Sequence, residues 1–65
     1  MKKYYIKHPN GTYYKYMTMI GPCFGAKTPE ESDMPFKCKE DAAREMMKHS
    51  FAFTNCNIKK ITTNL

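Results

Sequence analysis

The sequence predicts an α+β domain of ββαβ layout, in which a small three-stranded antiparallel sheet of order 2-1-3 carries one helix on one face. Three observations point to it. Both flanks of "HPNGT", residues 8–12, alternate as the arms of a β-hairpin do. The segment from Cys38 to about Ser50 repeats its apolar residues at helical spacing, and "CNIKKI", Cys56 to Ile61, reads as a closing strand that returns beside the first. With 65 residues and no repeat, linker or low-complexity tract, residues 1–65 make one domain. So short a chain buries only about 60% of the surface its unfolded form exposes, and a stability of a few kcal/mol leaves room for a homodimer or a partner to contribute.

The turn sets the strand register. If Asn10 and Gly11 were the central pair of a type I′ turn, Pro9 would stand where the ladder needs an N–H, and proline has none. A type I turn centred on Pro9 and Asn10, with Gly11 in the left-handed conformation as a G1 bulge, suits every residue and pairs His8 with Thr12. One face then carries Tyr4, Ile6, Tyr14, Tyr16, Thr18 and Ile20. The other carries Lys3, Tyr5, Lys7, Tyr13, Lys15, Met17 and Met19. The competing register would put Lys15 on the core side with Tyr4 and Ile6. Tyr4, Tyr14 and Tyr16 are therefore expected in the core, and Tyr5 and Tyr13 outside among lysines.

From Gly21 to Pro35 the sequence is punctuated by Pro22, Gly25, Pro29 and Pro35 and reads as a long loop. Within it "TPEE" predicts one helical turn, with Thr28 at the N-cap, Pro29 at the first helical position and Glu31 closing a capping box. The main helix starts at "CKED", with Cys38 as the cap. Its expected apolar stripe is Ala42, Ala43, Met46, Met47 and Ser50, and its polar side is Lys39, Glu40, Arg44, Glu45 and Lys48, with Glu40 and Arg44 at ion-pair spacing. The expected core is Ile6, Tyr14, Tyr16, Ala43, Met46, Met47, Phe51 and Ile58, with Phe51 and Phe53 docking the helix exit.

Catalytic and cofactor patterns are not found. Cys38 and His49 would lie at opposite ends of one helix, roughly 16 Å apart at the usual rise, too far for a nucleophile and its base. Cys23, Cys38, His49 and Cys56 contain no close ligand pair of the C-x-x-C kind, so no metal and no cofactor is expected. The odd cysteine count, and a start that enters "YYIKH" rather than an apolar run, point to free thiols in a reducing cytoplasm. No run has the length of a membrane-spanning helix.

The remaining constellation is the second hairpin face, where Tyr5 lies opposite Lys15 and Lys7 opposite Tyr13, so that each ring has a cation beside it. Lys3, Tyr5, Lys7, Tyr13, Lys15 and Met17 are the candidate partner-binding residues. A net charge of +5 favours an acidic partner. Tyrosines anchor protein interfaces and lysines steer acidic surfaces to them; the same pattern suits bases that stack while phosphates are neutralised. Arg44 is the one arginine, and bidentate base readout prefers arginine, which favours a protein partner.

"PFKCKEDAAREMM" after a glycine-turned hairpin resembles short phage and prophage accessory proteins, in which a hairpin, a helix and a final strand fill the chain. The stretch from Tyr4 to His49 is also similar to the arm-binding, AP2-like domain of phage integrases, whose sheet reads DNA. Lys, Asn, Tyr and Met are frequent and Trp is absent, as in proteins of AT-rich genomes. The first resemblance, taken with the lysine-rich face, favours a non-enzymatic accessory protein that docks on an acidic host protein, such as a defence component, and modulates it in the host cytoplasm. The second implies a nucleic-acid-binding module that uses the same face.

Overall fold

The computed structural model describes residues 2–62 as a small α+β unit of one helix and two antiparallel two-stranded sheets. Strand β1, Lys2–Lys7, pairs along its whole length with the last strand, β4, Asn57–Thr62, with Ile6 opposite Ile58 and Tyr5 opposite Lys59. Between them in sequence come β2, Tyr16–Met17, and β3, Pro22–Cys23, which pair with each other. A 3-10 turn over Pro29–Glu31 and helix α1, Lys39–Lys48, complete the fold.

The first turn takes the expected form. The Gly11 N–H donates to the His8 carbonyl at 2.9 Å, the His8 N–H donates to Thr12 O at 2.7 Å, and Gly11 has φ +98°. Asn10 locks the loop, because its Oδ1 accepts from both the N–H and the hydroxyl of Thr12. The register follows: Tyr13 bridges Lys7, and the Tyr14 N–H donates to Ile6 O.

Beyond Tyr14 the returning arm leaves β1, so a continuous three-stranded ladder of order 2-1-3 does not form. The Tyr14 carbonyl accepts from the Ser32 hydroxyl, the Lys15 N–H donates to Cys23 O, and the Lys15 carbonyl accepts from Asp33 N. The place on β1 that the arm vacates is taken by Phe36, which exchanges two 2.9 Å backbone bonds with Tyr4. The Gly21–Pro35 segment is therefore a second hairpin arm and a return strap rather than a loose loop. Thr18 makes that hairpin: its hydroxyl donates to Gly21 O and accepts from the Ile20 and Gly21 N–H groups, and Gly21 takes φ +149°. Met19 and Ile20 sit at the tip in full solvent, and Tyr16 is exposed. Tyr16 and Ile20 thus leave the core face to which alternation assigns them.

The turn in "TPEE" forms, with a different cap from the one expected. The Glu31 carboxylate accepts from the Lys27 N–H and the Thr28 hydroxyl, and the Thr28 side chain caps no backbone donor. Helix α1 begins after Cys38 as expected, but it is rotated on its axis. Ala42 is fully buried, Met46, Glu45 and His49 are half-buried, and Met47 is 79% exposed. The cause lies in Glu45. Its Oε2 accepts the Tyr14 hydroxyl at 3.0 Å, which draws a residue expected on the polar side under the sheet and turns Met47 outward. Arg44 pairs with Asp41 at 3.3 Å, not with Glu40.

The main core joins Ile6, Tyr14, Ala42, Phe53 and Cys56, with Tyr4, Phe24, Met34, Phe36, Met46 and Ile58 packed around it. Three of its rings interlock: Phe53 meets Tyr14 at 5.1 Å and Phe24 at 5.7 Å between centroids, both edge-on. Phe53 docks at the helix exit as expected, whereas Phe51, expected in the core, is 88% exposed. Asn55, at φ +64°, reverses the chain into β4, a conformation that asparagine tolerates better than most residues.

Candidate functional site

The face of β1 turned away from α1 carries Lys3, Tyr5 and Lys7, and the register of β4 adds Asn57, Lys59 and Ile61 to it. Tyr13 joins from the hairpin arm as the hinge of the assembly, bridged to Lys7 on one side and to Ala26 on the other. Lys15 lies where the arm has already left β1, bonded through its backbone to Cys23 and Asp33 with its stem beside Gly25, so the register of β1 does not carry it onto this face.

Tyr5 and Tyr13 do not stand outside among the lysines. They are 8% and 7% exposed and form a second, smaller core with Ala26, closed by Ile61. Each ring shields the other edge-on at 6.4 Å, and the arm that brings Ala26 back along Tyr13 covers what alternation leaves open. The aromatic anchors proposed from sequence are structural supports. The expected Tyr5–Lys15 opposition is also absent, because the arm has left β1 by that point and the Lys15 backbone bonds to Cys23 and Asp33.

The lysines remain. Lys7 Nζ lies 5.8 Å from the centre of the Tyr13 ring, a cation-π distance, while Lys3 and Lys15 are half-buried and Lys59 is exposed. Met17 is half-buried against the main core and takes no part in this face. Among the described residues the one ion pair is Arg44 with Asp41, so Lys3, Lys7, Lys15 and Lys59 have no carboxylate within 4.0 Å there. The distribution of charge in the sequence explains this. All six acidic residues fall between Glu30 and Glu45, and the chain on either side of that segment carries eight lysines and no acid. The sheet is thus built from the basic parts of the chain, and helix and strap hold every acid. This segregation was legible in the sequence, as was Lys59 from the alternation of the last strand.

Among the described residues no three His, Cys, Asp or Glu side chains come together as a metal site would require. Cys38 and His49 cap opposite ends of α1. Cys23, Cys38 and Cys56 are free thiols, and burial pushes the Cys56 thiol above its ordinary pKa, which lowers its reactivity at neutral pH. No helix among the described residues is long and apolar enough to cross a membrane. Comparison with known protein families, characterised proteins and solved structures finds no significant match.

Proposed function

We propose that this chain is a non-enzymatic binding protein whose basic sheet face docks on an acidic protein surface. The observation that carries the reading is the set of Lys3, Lys7 and Lys59 on one face, with no carboxylate within 4.0 Å among the described residues. Charges left unneutralised on a rigid face cost self-repulsion in the free protein and gain attraction when an acidic partner arrives, and they speed encounter. The rings beneath them hold the face flat and fixed in place of serving as anchors.

Burial of Tyr5 and Tyr13 also weighs between partner classes. Stacking platforms for single-stranded nucleic acid need ring faces open to the bases, and these rings are closed. A nucleic acid would have to be held through phosphates alone, which gives weak, salt-sensitive and sequence-independent binding. A phage-encoded protein that acts on a host component in the reducing cytoplasm is one kind of molecule to which such a face belongs, in keeping with the sequence resemblance.

A gel shift with mixed-sequence single- and double-stranded DNA and RNA at near-physiological salt separates the classes. Absence of a shift is expected. Tight binding that disappears when Lys3, Lys7 and Lys15 are all changed to Glu would replace the protein reading with the nucleic-acid one.

A further inference from the structure

At the outer end of β1, where Phe36 replaces the hairpin arm, a cleft of about 410 Å³ is lined by Lys2, Lys3, Pro35, Phe36 and Lys37. Pro35 and Phe36 give it apolar surface, and three lysines share its lining. The antiparallel bridge between Tyr4 and Phe36 brings Lys37 level with Lys3. Like charges placed across from one another destabilise a sheet, and here nothing offsets them, because neither lysine has a carboxylate within 4.0 Å among the described residues. An anion seated between them removes that repulsion, and an apolar group attached to the anion has a proline and a phenylalanine to pack on.

We infer that this cleft is where an acidic partner is anchored, and that it takes a short acidic segment of a protein with one large apolar side chain among its carboxylates. The inference rests on the reading that the basic face meets an acidic protein, and it adds the place and the chemistry of the contact. Lys3 belongs both to the sheet face and to the cleft, so the two surfaces are continuous. The apolar side chain packs on Pro35 and the open part of Phe36 while its acidic neighbours meet Lys3 and Lys37, and Lys7 and Lys59 extend the attraction along the sheet. Arginine is absent from the rim, so the carboxylates are held by point charges and the apolar contact supplies selectivity.

The test is an amide NMR titration of the native chain with two synthetic peptides, Glu-Glu-Phe-Glu-Glu and Glu-Glu-Ala-Glu-Glu. Resonances of Lys2, Lys3, Phe36 and Lys37 should move saturably with the first. The second should bind about tenfold or more weakly, the loss expected when a phenylalanine is no longer buried. Lys37→Glu, which replaces a like-charge pair with an opposite-charge one and should hold or raise the melting midpoint, should weaken the binding of both peptides. Equal binding of both peptides, with shifts spread over all the sheet lysines, would overturn the cleft and leave the basic face standing. Failure of the phenylalanine peptide to move the cleft resonances at low salt would also overturn it. The fate of the face itself is then read separately, from whether Lys3, Lys7 and Lys15 are needed to capture a protein partner.

Discussion

Tyr5 and Tyr13 meet edge to face, with ring centroids 6.4 Å apart and planes 80° from parallel, on the side of the sheet away from the helix. That contact gives a chain with one helix a second core on its open side. Truncating either ring removes a buried aromatic, so Tyr5→Ala or Tyr13→Ala should cost about 2 to 4 kcal/mol, against less than about 1 kcal/mol for Tyr5→Phe. Chemical denaturation checks it. If Tyr5→Ala unfolds at the native midpoint, the ring is not in a core.

The Tyr14 hydroxyl, buried beneath the sheet, donates to Glu45, and desolvation first, then this hydrogen bond and the carboxylate charge, hold its pKa well above the ordinary 10. The folded chain therefore keeps the phenol protonated at pH values where the unfolded chain loses it. A raised folded pKa contributes stability that is complete below about pH 10 and is lost as pH rises through the folded value. Tyr14→Phe should reduce stability by about 1 to 2 kcal/mol at pH 7 and flatten the fall in stability above pH 10. Melting curves across pH 8 to 11 for both proteins decide this; identical alkaline slopes would remove Tyr14 from the account.

The same pair marks the limit of what the sequence discloses. Pro9 has no N–H to give, so the turn and its register follow from one residue's chemistry and are found as expected. The rotation of α1 does not follow, because a helix with glutamate on one flank and methionine on the other reads as amphipathic with Met47 inside. Only the partner across the core, a tyrosine hydroxyl in need of an acceptor, reverses that order. Tyr5 and Tyr13 are misplaced for a related reason: a tyrosine suits a wet surface and a small dry cluster equally, and the choice depends on Ala26, on the far arm of the second hairpin. The hairpin itself was hidden in "TMIG", where a threonine hydroxyl organises a turn with two apolar residues at its tip.

Side-chain truncation around the helix exit should separate the real core from the expected one. Phe53→Ala should cost about 3 to 5 kcal/mol, enough to unfold much of a domain this small. Phe51→Ala and Met47→Ala, at exposed sites, should stay within about 0.5 kcal/mol of the native chain. Thermal melts of the three variants suffice. The reverse ranking would mean that α1 packs through Met47 after all.

Gly11 tests the turn alone. Nothing lies within 4 Å of an added Cβ there, so any penalty is conformational, and at φ +98° Gly11→Ala should cost about 1 to 2 kcal/mol. An unchanged or raised midpoint would show that the loop accommodates another conformation.

The most direct test of the basic face as a protein-docking surface is capture from a nuclease-treated bacterial lysate. Native chain and the variant with Lys3, Lys7 and Lys15 all changed to Glu are immobilised side by side, after both are shown to melt alike. The native chain should retain a protein after nuclease treatment, release it as salt is raised, and the variant should retain none of it. A partner captured equally by both proteins, or one that vanishes with the nucleic acid, would contradict it.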